Sequence, residues 1–230
     1  LLAPALTGPG APERPVMIDC TLGAGGHAEG ALRRFPALSV VGIDRDPEAI
    51  ALASARLAPF GRRFRAVRTT YDQVDAVARE ASVRPDGTVD AVLMDLGVSS
   101  LQLDDAGRGF SYARPAPLDM RMDQSGGTTA QQILDTADER ELARILRDYG
   151  EERFAPRIAA AIVRRRRDGE AVASTDDLAG LVRECIPAPA RRTGGNPAKR
   201  TFQALRVAVN AELDVLERAV PRALNVLRVG

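Results

Sequence analysis

The chain has 230 residues, of which 45% are hydrophobic and 27% charged, with a net charge of +1. That is enough apolar matter for a buried core and excludes a disordered tail, and no run of about 18 apolar residues is present to form a spanning helix. Two cysteines (Cys20 and Cys185) and one histidine (His27) give no disulfide framework and no four-ligand zinc site, and they argue against a Ser-His-Asp hydrolase.

In chain order, residues 16–20 read as a short buried strand after a Pro/Gly-rich lead-in, residues 21–27 as a glycine-rich turn, and residues 28–35 as a helix stopped before Pro36. Residues 39–43 form a second apolar strand ending at Asp44, and residues 47–57 a helix opened by Pro47. A third strand over 64–70, a third helix over 71–81 and a fourth strand over 89–94, ending at Asp95, complete this half. Strand and helix alternating at this spacing predict right-handed crossovers and a parallel sheet, in which ligands bind at the carboxyl ends of the strands. Three of the four strands end at or beside an aspartate: Asp19, Asp44 and Asp95.

After Gln102 the pattern changes. Residues 104–127, rich in Gly, Asp, Arg and Pro, read as a structured loop, and helical periods dominate from 128 to 187. Phe154, Ile158 and Ile162 are spaced to share one helix face, and Ser174-Thr175-Asp176-Asp177 reads as a helix cap. Residues 187–200 read as a linker and residues 201–227 as one long helical pattern. The expected architecture is an α/β core formed by residues 1–103 and 201–230, with a helical insertion over 104–200 and further strands beyond Gly230. The positive charge is concentrated late: residues 151–200 hold 11 basic and 7 acidic groups around Arg164-Arg165-Arg166-Arg167. Arginine forks suit phosphate. The run reads either as a phosphate-binding surface or as a solvated helix end.

Between the first strand and first helix lies Asp19-Cys20-Thr21-Leu22-Gly23-Ala24-Gly25-Gly26-His27. Glycines there allow close approach of backbone to a ligand. Asp44, at the tip of the second strand, has the position of an acid that accepts both hydroxyls of a ribose, a feature shared by NAD and S-adenosylmethionine enzymes. The dinucleotide pattern needs a third glycine where this chain has Ala28, and an acid placed like Asp19, four residues before the first glycine, is typical of methyltransferases. The residues favour a methyl donor over NAD, with a plain glycine turn as the remaining alternative. His27 reads as a wall of the binding site or as a cap of the turn.

Five further stretches are more specific. Met94-Asp95-Leu96-Gly97-Val98-Ser99-Ser100-Leu101-Gln102-Leu103-Asp104-Asp105 is followed by Arg108-Gly109-Phe110-Ser111-Tyr112 and Pro117-Leu118-Asp119-Met120-Arg121-Met122-Asp123; then come Tyr149-Gly150-Glu151-Glu152-Arg153-Phe154 and Thr201-Phe202-Gln203-Ala204-Leu205-Arg206. From Asp19 to its end the chain closely resembles the RsmH (MraW) family of bacterial methyltransferases of small-subunit ribosomal RNA. The resemblance implies a Rossmann-like S-adenosylmethionine-dependent methyltransferase core with a helical substrate-recognition domain inserted after the fourth strand. It implies methylation of N4 of one cytidine in the decoding region of 16S rRNA, within the small ribosomal subunit in the cytoplasm, with S-adenosyl-L-methionine as donor. The family's donor site maps onto Gly25, Gly26, His27, Asp44, Tyr71, Asp95 and Gln102.

Methyl transfer from a sulfonium needs an in-line nucleophile about 3–3.5 Å from the carbon, and it needs no metal. An acceptor for the N–H of a cytosine amine favours its attacking form, and Asp95 stands where amino-methyltransferases hold that acceptor. The common Asp/Asn-Pro-Pro-aromatic pattern is here Asp95-Leu96-Gly97-Val98, so Asp95 binds the donor, the amine or both. Attack at a pyrimidine C5 would need a cysteine nucleophile, and neither Cys20 nor Cys185 is placed for it. Asp119, Arg121 and Asp123 form either a salt-bridged strut or the floor of a cytosine pocket. Phe110 and Tyr112 either stack on an extruded base or pin their loop.

Overall fold

Period-two alternation, read on two buried faces, explains the layering of the core. The computed structural model describes residues 6–7, 12–81, 84–112, 114–190 and 195–229. Strand β1 (Val16–Asp19) is buried along its whole length, and β2 (Ser39–Asp44) at its four central residues. Together with β3 (Phe64–Arg68) and β4 (Ala91–Leu93) they form a parallel sheet in the order β3-β2-β1-β4. Met17, Val40 and Ala91 face one side, against Ala28 and Leu32 of α1 (Gly26–Arg34) and Ala53 and Leu57 of α2 (Pro47–Leu57). Val16, Ile18, Val41 and Ile43 face the other, against Val74, Val77 and Ala78 of α3 (Val74–Ala81) and Ala223 and Val226 of the C-terminal helix Glu212–Val226. The chain lays β2 and β3 on one side of β1 and then returns to lay β4 on the other. That reversal puts the topological switch point between β1 and β4.

Two buried carboxylates lock this core. Asp90 takes a two-pronged bond from Arg84 Nη2 (2.8 and 2.9 Å), a bond from Arg228 Nε (3.1 Å) and the backbone N–H of Val16 (2.8 Å). Asp72 takes Arg218 Nε at 2.9 Å and the Thr70 hydroxyl; burial raises its pKa, but these bonds outweigh burial and hold it below the usual range.

The described chain divides into two compact units, Leu1–Leu101 with Leu213–Gly230, and Gln102–Glu212. The second begins within the short helix α4 (Ser100–Asp104) and contains α5 (Ala130–Thr136), α6 (Glu139–Gly150), α7 (Ala155–Arg167), α8 (Thr175–Cys185) and α9 (Lys199–Asn210); Glu212–Val226 is α10. Thr129 caps α5 in a reciprocal box with Gln132, and Ser174 caps α8 by accepting from the Asp177 amide. Helices α6 and α9 approach backbone to side chain at Gly150. A Cβ there would lie against the Arg200 carbonyl and 2.9 Å from the Ala204 Cβ.

Several expected elements differ in detail. The helical pattern over 201–227 is two helices, because Ala211 takes a left-handed turn (φ 48°) at the end of α9. The first of them packs in the second unit, where Phe202 and Leu205 are buried, rather than with the core. Phe154 is the N-cap of α7, so only Ile158 and Ile162 of the expected apolar face lie within that helix. The fourth strand is three residues long. Of the expected linker at 187–200, residues 191–194 lie outside the described residues, as do residues 1–5 and 8–11 of the lead-in. Gly150→Ala is expected to lower stability by about 1–3 kcal/mol through overpacking of α6 against α9. Denaturant unfolding followed by helical circular dichroism checks this, and an unchanged midpoint would contradict the close packing.

Candidate active site

The turn after β1 is shaped by positive φ and by neighbours on both sides. Gly23 (φ 50°) and Gly25 (φ 82°) hold left-handed conformations, and a Cβ on Gly25 would lie 3.0 Å from Leu57 Cδ1 of α2. The Gly23 N–H donates to Asp44 Oδ2 at 2.8 Å, and Arg56 Nη1 donates to the Ala24 carbonyl at 3.0 Å. Gly25 is the N-cap of α1 and offers no side-chain acceptor to the amides of the first turn, where Gly26 and His27 stand. Amides at such a helix start favour a partner with negative or lone-pair character.

Three carboxylates gather around this turn. Asp19 is fully buried; its Oδ1 accepts the Thr21 N–H at 3.2 Å, while Oδ2 has no hydrogen-bond partner. Burial pushes its pKa above the ordinary value, against the pull of the Thr21 amide. Asp44 accepts from Gly23 through Oδ2 and from the Asp46 amide through Oδ1 (3.0 Å), and burial raises its pKa as well. Asp95, just past β4, is open instead: its Oδ2 lies 3.7 Å from His27 Nδ1, with side-chain exposures of 66% for Asp95 and 60% for His27. Its backbone N–H donates to Thr21 Oγ1 at 2.8 Å.

Asp19, Gly25, Gly26, His27, Asp44 and Asp95 thus meet at the carboxyl ends of β1, β2 and β4, beside the switch point. Tyr71 follows β3 in a single 3-10 turn and packs against the apolar cluster of Ile18 and Ile43. Gln102 belongs to the second unit and is buried there. Thr21 is absent from the residues singled out in the sequence, although it lies inside the glycine-rich turn. Its partner Asp95 is 74 residues away, and no local pattern marks such a pair. Cys20 is buried, and burial with the neighbouring Asp19 pushes its thiol up to about 12, so it is no thiolate nucleophile at neutral pH.

In the second unit the candidate residues are mostly engaged with their own framework. Asp119 and Arg121 form a two-pronged ion pair, Nε to Oδ1 at 2.8 Å and Nη2 to Oδ2 at 2.7 Å. Burial alone would raise Asp119, but Arg121 outweighs it and holds the carboxyl below its usual range. Between them Met120 is fully buried with φ 60°, and Asn210 grips the segment by donating to the Met120 carbonyl and accepting from the Met122 amide, both at 2.8 Å. Phe110 is buried beneath the Arg108 guanidinium, 5.7 Å from its ring centre, and Tyr112 meets Phe202 edge to face at 5.3 Å. Both contacts are those of residues that pin a loop. In the arginine run, Arg165 pairs with Asp177 (2.6 Å) and Arg166 donates to the carbonyls of Leu134 and Ala137, while Arg164 and Arg167 are exposed.

A doubly wound parallel sheet, with a glycine turn and three carboxylates at its switch point, defines a Rossmann-like methyltransferase core. Comparison with known proteins agrees. The model of the MraW methylase family matches residues 4–230, and the chain belongs to that family. It is 61% identical over 230 residues to the ribosomal RNA small subunit methyltransferase H of Beutenbergia cavernae, covering all of this chain and 67% of that protein. The proteins of the same description from Mycolicibacterium smegmatis and Nocardia farcinica are 60% and 56% identical, again over all of this chain and over 61% and 69% of their own lengths. The chain therefore spans about two thirds of the length of these relatives.

The raised pKa of Asp19 fixes the sign of a pH effect. An unfolded aspartate ionises near 3.8, and the folded one at higher pH. The folded state therefore binds a proton that the unfolded state has lost, and this stabilisation is full below 3.8 and disappears as pH rises through the folded pKa. Asp19→Asn is expected to remove that decline. Its unfolding midpoint relative to wild type should improve from pH 4 to pH 7, as measured by thermal melts; a constant difference would contradict the burial of an ionisable group.

Proposed function

We propose that the protein is the S-adenosylmethionine-dependent methyltransferase of 16S rRNA that acts on the N4 amine of a cytidine in the decoding region. The observation that carries the reading is the buried, half-partnered Asp19 beside Asp44 and the left-handed Gly23–Gly25 turn. The names of the relatives supply the substrate class.

The residues fit the donor. Asp19 Oδ2 is a buried acceptor without a donor, which suits an ammonium group. Asp44 has one backbone bond on each oxygen, and a carboxylate with about four lone-pair sites keeps capacity for the two hydroxyls of a ribose. Gly25, Gly26 and His27 would border the carboxylate end of the donor, Tyr71 its adenine, and Asp95 and Gln102 complete the family's set.

When bound, S-adenosylmethionine supplies a methyl group already activated by the positive sulfur. The chain's own work is orientation and proton handling. The turn and the strand tips hold the donor rigidly, which supplies much of the barrier lowering through positioning, about 7–11 kcal/mol for well-oriented reactants. Asp95 accepts a hydrogen bond from the cytosine amine, so that its lone pair turns out of the ring, and takes the proton as the new N–C bond forms. His27, within 4 Å of that carboxylate, holds it in place or passes the proton to solvent.

RNA recognition rests on phosphate contacts more than on base stacking, because Phe110 is engaged by Arg108 and Tyr112 by Phe202 of α9. Arg164 and Arg167 are the members of the arginine run available to phosphates. The proposed setting is the small ribosomal subunit in the cytoplasm.

With the full-length protein, S-adenosylhomocysteine is expected to bind at micromolar or tighter affinity and NADH not at all. Asp44→Ala should weaken that binding by about tenfold or more, a loss typical of a hydrogen bond to a charged group. Asp95→Ala should reduce methyl incorporation into small subunits by about 10²-fold or more. Binding of NADH alone, or unchanged turnover of Asp95→Ala, would contradict the assignment. Replacing Arg164 and Arg167 together by Ala should lower the salt slope of RNA binding by about 0.7 for each phosphate that is no longer neutralised. An unchanged slope would place both away from the RNA.

A further inference from the structure

The hydrogen bonds between β1 and β4 change character at their carboxyl ends. The pairs Met17–Ala91, Ile18–Val92 and Asp19–Leu93 are in regular parallel register, and the last main-chain rung runs from the Cys20 N–H to the Leu93 carbonyl at 2.8 Å. The next rung of a parallel ladder would take the Asp95 N–H to the carbonyl of Cys20. It goes instead to the Thr21 hydroxyl oxygen, at 2.8 Å. The same hydroxyl lies 3.5 Å from Asp19 Oδ1, which also accepts the Thr21 N–H. A hydroxyl has one proton to give. Pointed at Asp19, it leaves the oxygen lone pairs to receive Asp95.

We infer that Thr21 is a positioning residue for Asp95: its hydroxyl replaces a main-chain acceptor where β1 and β4 part at the switch point, and so holds Asp95 while the strands open. The inference rests on the role of Asp95 proposed above. Parting the strands makes room for a ligand, but a free Asp95 loop would lose the alignment that in-line transfer requires. The side-chain rung resolves this conflict. It ties the group that meets the amine to Asp19, the carboxylate that meets the donor, through a single oxygen. Misplacement by about 1 Å is enough to reduce a rate about 10²-fold, so a short tether at this point has leverage on turnover.

The test uses the full-length protein, labelled S-adenosylmethionine and small ribosomal subunits, with Thr21→Val and Thr21→Ser. Valine keeps the branched shape and removes the acceptor, whereas serine keeps the hydroxyl. Thr21→Val is expected to lower kcat by about 10–100-fold, with KM for the subunit within about twofold. Thr21→Ser should stay within about threefold of wild type. In the Asp95→Ala background Thr21→Val should add less than about twofold, because two residues acting through one interaction are not additive. Amide hydrogen exchange supplies a readout free of turnover: the Asp95 N–H should be protected in the wild type and in Thr21→Ser, and should exchange at least tenfold faster in Thr21→Val. Should Thr21→Val fail to fold, wild type and Thr21→Ser still decide the matter, since an unprotected Asp95 amide in the wild type overturns the inference. Unchanged kcat in Thr21→Val, or an equal loss with and without the Asp95 side chain, overturns it too. Absence of methyl incorporation by the wild type defeats the functional reading itself, whereas wild-type turnover with an indifferent Thr21→Val defeats only this one.

Discussion

Burying a carboxylate without a full set of donors works against folding, and the core of this protein does so at the tip of its central strand. Asp19 is enclosed by the sheet and the glycine turn, accepts the Thr21 amide on one oxygen and has nothing on the other. An acid that served only the fold would be paired, as Asp90 and Asp72 are, each with arginine. The contrast within one unit separates carboxylates that fasten strands and helices together from one kept ready for a cation. Asp44 is intermediate: backbone amides hold both its oxygens, and burial still raises its pKa.

The same economy appears in the second unit. The loop bearing Arg108 to Asp123 is held by contacts that use side chains as substitutes for backbone partners. Arg108 donates to the carbonyls of Arg121 and Met122, and Asn210 satisfies both the amide of Met122 and the carbonyl of Met120. A non-glycine residue with positive φ in a fully buried place, as at Met120, persists only where its surroundings over-determine it. The fork between Asp119 and Arg121, the charged residues on either side of Met120, braces that conformation.

How much of this is legible in the sequence follows from the range of the interactions. Helix α2 is legible to the residue, because Asp46 and Pro47 mark its start locally and the apolar period runs out at Leu57. The glycine turn and the aspartates at the strand tips are legible for the same reason. The break between α9 and α10 is not, since Ala211 is a good helix former and yet takes a left-handed turn. The division of the arginine run is hidden as well: Arg165 and Arg166 find their acceptors on other helices, 12 and about 30 residues away. Thr21 belongs with these. Its residue type is in plain view, but its partner is fixed only when β4 comes to lie beside β1.

The central claim is that Asp19 and Asp44, buried carboxylates whose pKa values burial raises, are kept for a cationic, hydroxyl-bearing ligand. Titration calorimetry of the full-length protein with S-adenosylhomocysteine, in buffers of different ionisation enthalpy and over a pH series rising from the ordinary carboxylate range, measures the protons exchanged on binding. The account predicts proton release on binding in the acidic part of that series, diminished in Asp19→Asn. Proton uptake, or a release identical in the two proteins, would contradict it.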